Sequence, residues 1–229
     1  MSNAQRTANP SALVDETVQR LEEALLSGQL VPGQRLSEQE LSAAFGVSRG
    51  PFREAVRTLE GRRLVTRTPH HGAHFVELSA EDFEQILWAR EGLEAMACRQ
   101  AAEMMTLPEV RALRRTTVES LEKVMIEGVG GVYRSGTNDN DFHLQIIRGS
   151  RNRWLEGFLS DIYALLRLFK FSPTSFGHRA NASVDEHMLI IDALEKRDAN
   201  EAERLMRRHI SNARENLMSI LRAVTPPQG

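Results

Sequence analysis

Asp139 and His143 stand four residues apart, a spacing that sets two side chains on one face of a single helical turn. Two further histidines stand singly in helical-looking stretches, His187 within Asp185-Glu186-His187 and His209 within Arg208-His209-Ile210. One carboxylate and three imidazoles form a donor set suited to Zn, Ni, Fe or Mn, leaving room for water or ligand oxygens. By spacing alone, ordinary core or surface histidines remain the competing explanation.

A second group has a different chemistry. Residues 46–76 carry Arg49, Arg53, Arg57, Arg62, Arg63 and Arg67 against only Glu54 and Glu60, with His70, His71 and His74 nearby. The preceding stretch, 11–45, holds two arginines against six acids. The chain as a whole has a net charge of −2, which argues against indiscriminate nucleic-acid binding. A basic patch confined to one segment is instead a footprint for phosphates, or else a solvated charged helix face.

The elements that must position these groups follow from periodicity and punctuation. Val14, Val18, Leu21 and Leu25 recur at helical spacing until Gly28 and the Pro32-Gly33 pair. Ser37 and Glu40 have capping-box spacing and open a short helix to about Phe45. Gly46 turns the chain, and Ser48 caps a second helix with Phe52, Ala55, Val56 and Leu59 inward. Two short helices about a glycine turn read as helix-turn-helix. Val65 to Thr68 and Ala73 to Glu77 alternate as strands about a His70-His71-Gly72 turn, with glycine at the tip of a wing.

From Ser79 onward every signal is helical. Ser79 caps a helix to about Glu103 with Phe83, Ile86, Leu87, Leu93 and Ala97 inward, and Thr106 with Glu109 opens another. A glycine-rich break spans Glu127 to Gly136, and helices are expected at about 138–149, 152–170, 183–196 and 199–222. Ser183/Glu186 and Asp198/Glu201 again have capping-box spacing, while Trp88 and Trp154 read as packing residues. The expected fold is mainly α: a disordered N-terminus (1–12), a winged helix-turn-helix (13–78), an all-helical bundle (79–223) and a flexible tail (224–229).

Bulk properties narrow the class. The one cysteine, Cys98, excludes an intramolecular disulfide and suits a reducing cytoplasm. No charged, apolar and small-residue succession marks a signal peptide. The most apolar stretch, Leu155 to Phe171, is broken by Glu156, Asp161 and Arg167, so no membrane partner is expected.

On a helix opening at Ser48, Arg49 lies in the first turn with Arg53 and Arg57 at successive four-residue intervals. Free N–H groups there attract a phosphate, and the arginine fork matches guanine O6 and N7. Pro51 is tolerated so early in a helix. The run VSRGPFREAV (47–56), preceded by PGQRLSEQELSAAFG and followed by LEGRRLVTRTPHHGAHFVELS, resembles the GntR family of bacterial transcription regulators. Family wording is close to VSRTPVREAL, so Gly50 and Phe52 are departures; Gly50 removes a side chain at the DNA face, with consequences for site preference. The resemblance implies that Ser48, Arg49 and Arg53 contact bases or phosphates. It also implies that Gln39 touches DNA from the preceding helix and that His71 and Gly72 enter the minor groove. Arg35, Gly50 and Arg57 complete the expected DNA-binding set.

The second half resembles the helical FCD ligand domain of the FadR-type branch, through Arg90-Glu-Gly-Leu-Glu94, Asp139-Asn-Asp-Phe-His143, Ser150-Arg-Asn152, Glu186-His187 and Asp192 to Asp198. That resemblance implies a divalent metal, zinc first, held by Asp139, His143, His187 and His209. It also implies an effector contact at Arg90, whose alternative is a surface pair with Glu94. Asn152 either caps the following helix or faces the effector.

The expectation is therefore a cytoplasmic homodimeric repressor that reads a double-stranded operator and is controlled by a small organic acid on the metal. A structural or sensed metal, and an acyl-CoA effector, are the alternatives within this family. A metal-dependent hydrolase is the enzyme alternative. It would consume all four ligands, lack a motif-backed general base and leave the DNA-reading segment unexplained.

Overall fold

A computed structural model describes residues 10–127, 141–167 and 177–224. The chain divides into two compact units, Met1–Glu77 with Ala164–Lys170, and Leu78–Tyr163 with Phe171–Gly229.

In the first unit α1 (Pro10–Ser27) buries Thr17, Val18, Leu21, Ala24 and Leu25, a stripe at three- and four-residue spacing. It packs on α3 (Arg49–Gly61), whose Phe52, Ala55, Val56 and Leu59 are buried. Between them lies α2 (Glu38–Ala44), where Ser37 Oγ accepts the Glu40 N–H at 3.3 Å. Gly46 then takes φ +66°, a left-handed conformation that a side chain would disfavour. Ser48 occupies the N-cap of α3 in extended conformation, but its hydroxyl makes no cap hydrogen bond. The expected serine cap is thus positional only.

Strands β1 (Val65–Thr68) and β2 (Gly72–Phe75) pair antiparallel, Val65 opposite Phe75 and Thr68 opposite Gly72. Gly72 is therefore the first paired residue after the turn, and Pro69, His70 and His71 form the tip instead of the glycine. The left-handed strain falls on His70 (φ +66°) as well as Gly72 (φ +80°). The free edge of β2 is occupied by the segment before α2. Gly33 N–H donates to Phe75 O (3.0 Å), Phe75 N–H to Gln34 O (3.0 Å), and Leu36 N–H to Ala73 O (2.7 Å). That pairing brings Arg35 beside His74.

In the second unit α4 (Ala80–Met104) starts at a full capping box between Ser79 and Asp82. The unit continues through α5 (Leu107–Glu127), α6 (Phe142–Gly149), α7 (Arg153–Arg167, in this unit as far as Tyr163), α8 (Gly177–Glu195) and α9 (Ala199–Val224). Asp141 caps α6 by accepting from His143 N–H (2.9 Å) and Leu144 N–H (3.2 Å), so that helix begins later than residue 138. Because α8 opens at Gly177, Ser183 lies inside it and caps nothing at the expected start. Asp198 accepts from Glu201 N–H at 3.0 Å, as its spacing implies. The Glu127 to Gly136 break lies outside the described residues except for its first residue.

Helix α4 lies along α9, α6 and α8, and its buried Ala95, Ala97, Cys98, Ala101 and Ala102 allow close approach. Ile190, Ile191, Met206 and Ile210 fill the facing surface. Trp88 and Trp154 are not core residues; they are 53% and 65% exposed. Trp88 instead carries the Arg214 guanidinium 3.4 Å above its ring centre.

Gly149 ends α6 where a Cβ would stand 2.6 Å from Met105 Cγ and Sδ, whereas Gly157 on α7 has nothing within 4 Å. Gly149→Ala is expected to cost about 1–3 kcal/mol through overpacking. Gly157→Ala is expected to add roughly 0.5–1 kcal/mol through helix propensity. Chemical denaturation of the two variants checks both signs.

Candidate nucleic-acid interface and metal centre

The arginines of segment 46–76 lie on the surface of the first unit. Arg35, Gln39, Ser48, Arg49, Gly50, Arg53, Arg57 and His71 are exposed and Gly72 is half-buried. Arg53 Nε rests 3.3 Å from Glu38 Oε2, and Arg57 Nη1 2.8 Å from Glu54 Oε1. Exposed pairs of this kind contribute between zero and about 1 kcal/mol, so a phosphate can displace the carboxylate. The first N–H groups of α3 have no partner within the helix, which gives that end a positive field. A Cβ at Gly50 would meet nothing within 4 Å, so this departure from the family wording leaves open surface at the helix start.

In the second unit α6, α8 and α9 bring His143, His187 and His209 together, each nearly fully buried. The Nε2 atoms of His187 and His209 are 3.2 Å apart, and those of His209 and His143 are 3.4 Å apart. Phe142 stacks on the His187 ring with centroids 3.8 Å apart, fixing its plane.

Two carboxylates set the direction of the rings. Glu94 Oε2 lies 2.6 Å from His143 Nδ1, and Glu186 Oε2 lies 2.6 Å from His209 Nδ1. An ionised carboxylate only accepts, so each Nδ1 carries the proton and, in the neutral ring, Nε2 presents its lone pair inward. Burial outweighs the Glu186 contact and pulls His209 down to about 4, so this ring is neutral near pH 7. His187 can place a proton on one contact at most. The His143–His209 contact then opposes two lone pairs unless a metal ion or a second ring proton lies between them.

That donor set fits a metal. Nitrogens about 2.0–2.1 Å from one tetrahedral ion stand roughly 3.3 Å apart, which matches both short separations. Asp139, the expected carboxylate ligand, lies outside the described residues.

Arg90 is buried, not at the surface. Its Nε donates to Glu94 Oε1, and its Nη2 donates to Tyr163 Oη at 3.0 Å. Tyr163 in turn donates to Glu94 Oε1 at 2.6 Å, and burial, first among the causes, holds its hydroxyl protonated. Burial works to raise Glu94, but the Arg90 guanidinium, followed by His143, outweighs it and holds the carboxyl ionised. Asn152 is not among the histidines' partners: its Oδ1 accepts from Trp154 and Leu155 N–H (3.1 and 3.2 Å), and its Nδ2 donates to Gln100 (3.1 Å).

Sequence reasoning missed Glu94, Tyr163 and Glu186 as partners of this site. A signal for Glu94 was available: Phe83, Leu87, Arg90, Glu94, Ala97 and Ala101 continue one stripe at three- and four-residue steps, so two charges fall on the inward face. The capping-box spacing assigns Glu186 to Ser183, whereas its other oxygen accepts from Asn212 Nδ2 at 2.6 Å.

Comparison with known proteins agrees with both halves. Residues 13–75 match the model for bacterial regulatory proteins of the gntR family, and residues 85–212 match the FCD domain. An uncharacterised HTH-type transcriptional regulator of Bacillus subtilis, YdhC, is 28% identical over 202 residues, covering 88% of this chain and 89% of the relative. The HTH-type transcriptional repressor RspR of Escherichia coli is 25% identical over 213 residues, covering 93% and 92%. Among solved structures, Escherichia coli McbR/YncC shares the fold with a TM-score of 0.66 at 20% identity, covering 91% of this chain and 96% of that one. No described helix is long and apolar enough to cross a membrane. With an arginine-bearing reading helix and wing in one unit and a buried histidine cluster in the other, the chain belongs to the GntR family of DNA-binding transcription regulators, with a C-terminal FCD domain.

Proposed function

We propose that this regulator is a homodimeric repressor whose grip on a two-fold operator is set by a small organic acid bound at a divalent transition metal in the FCD domain. The convergence of three imidazole Nε2 atoms, two of them aimed by carboxylates on Nδ1, is the observation that carries the metal reading. His143, His187 and His209 would hold the ion, zinc being the first candidate, with Asp139 the proposed fourth ligand four residues before His143. When bound, such an ion supplies a cationic site that accepts an effector carboxylate at an open position. The acid changes operator affinity only by binding the DNA-competent and DNA-incompetent states unequally. The repressor assignment is supported by the name of the Escherichia coli relative.

Nearly complete burial of the three rings favours a second reading, in which the metal is structural or is itself the signal. A thermal-shift screen of the full chain against small carboxylates and sugar acids, with and without chelator, separates the two. Stabilisation by one acid that vanishes on chelation supports the effector reading. Chelation that lowers the melting temperature while no acid raises it supports the structural one. A transition that responds to neither chelator nor metal removes the metal from both.

On the DNA side, Ser48, Arg49, Gly50 and Arg53 are the proposed base- and phosphate-facing residues of α3. Arg35, Gln39, Arg57, His71 and Gly72 are proposed to complete the contact. Arg49→Ala is expected to weaken binding to the duplex recovered by selection from random sequence by about 1–3 kcal/mol, read by fluorescence anisotropy at fixed salt. Unchanged affinity would remove Arg49 from the interface.

A further inference from the structure

The buried group around Arg90 has more in it than an ion pair. Both oxygens of Glu94 are used. Oε1 accepts from Arg90 Nε and from the Tyr163 hydroxyl, and Oε2 accepts from His143 Nδ1. Arg90 closes the set by donating to Tyr163 Oη. The members come from α4, α6 and α7, and the Glu94 side chain is 1% exposed. Stability does not explain such a group, since a buried arginine–glutamate pair is typically no better than apolar residues of similar volume.

We propose that Glu94 is the positioning residue of the histidine cluster and that Arg90 and Tyr163 lock it, so that Arg90 acts on His143 through Glu94. This rests on the metal reading above. The chemistry is directional. A carboxylate accepts at both ends, and therefore holds the Arg90 and Tyr163 donors on one oxygen while keeping the proton on His143 Nδ1 with the other. Only that tautomer leaves His143 Nε2 free to ligate. An effector carboxylate that took the Nε side of the Arg90 fork would displace Glu94 and release the ring. Glu186 aims His209 in the same way, but its side chain is 21% exposed and its second oxygen holds Asn212.

Glu94→Gln is the discriminating change, because an amide cannot accept at both ends. With its oxygen toward Arg90 and Tyr163, its NH2 faces Nδ1 and drives the proton to Nε2. With its NH2 toward Arg90 and Tyr163, it opposes two donors. Full-length protein, stripped with chelator, is titrated with zinc against a chromophoric competitor. Loss of an orienting partner of this kind costs about 10–100-fold in metal affinity. Glu94→Gln is expected to fall in that range, Arg90→Gln to weaken binding in the same direction, and Tyr163→Phe to do so by less.

The histidine tautomers of the stripped protein, read by 15N NMR, supply a signal that a merely structural role would not move. His143 is expected as Nδ1–H in the wild type and as Nε2–H in Glu94→Gln. If Glu94→Gln does not fold, the wild-type tautomer and Tyr163→Phe still decide. A wild-type His143 protonated at Nε2, or a folded Glu94→Gln or Arg90→Gln that binds zinc like the wild type, overturns the inference while leaving the metal site standing. A wild type that binds no metal at all overturns both.

Discussion

A carboxylate deep in a helical bundle has few ways to stay ionised, and Glu94 constrains everything around it for that reason. It needs a cation and enough donors for two oxygens, and α4 alone supplies only Arg90, one turn away. The remaining donors come from α7 through Tyr163 and from α6 through His143. A rotation or slide of α4 against either helix would strand one donor or one oxygen in a dry interior. The polar cluster therefore sets a register that the surrounding alanines, which tolerate sliding, cannot set alone. The same register turns the His143 ring toward His209 and His187.

Helix ends are secured with comparable economy. Arg197, left-handed at φ +56°, closes α8 with Asp198 N–H donating to Ala193 O and its own N–H to Leu194 O. Its guanidinium then reaches the last carbonyls of α4, those of Ala102, Glu103 and Met105, at 2.9–3.2 Å. Those carbonyls lack helix partners and carry the negative end of the dipole. One residue thus ends one helix and caps another, beside the close approach of Gly149 to Met105.

Much of the fold was legible because its signals are local. The helix-turn-helix showed in the Gly46 turn and the inward stripe of α3, and the starts of α4, α5 and α9 showed in Ser79, Thr106 and Asp198. The errors came where a local rule met a nonlocal partner. Ser183 and Glu186 have capping spacing, yet Glu186 spends itself on His209 and Asn212 across the bundle. The helix expected from about residue 138 starts at Phe142, where Asp141 caps it. Arg90 and Glu94 satisfied the rule for a surface pair, and nothing within four residues reveals that Tyr163, 69 residues beyond Glu94, completes them in the interior. Residue type and spacing offered the three histidines as a donor set without showing that they meet; their convergence is a property of α6, α8 and α9 packed together.

The acids on the DNA-facing unit have a consequence for discrimination. Glu38 holds Arg53, Glu54 holds Arg57, Glu60 stands 3.7 Å from Arg67, and Glu22 holds Arg62. Each of these arginines already has an anion, so in the DNA contact proposed above a phosphate would gain only what is left after the carboxylate gives way. Contact with arbitrary duplex is then close to an exchange of partners. A guanine edge meets the same competition, because a carboxylate takes the arginine fork as readily as guanine O6 and N7 do. Built-in competitors of this kind would weaken any single contact, so that gain comes only from a surface that meets several arginines at once.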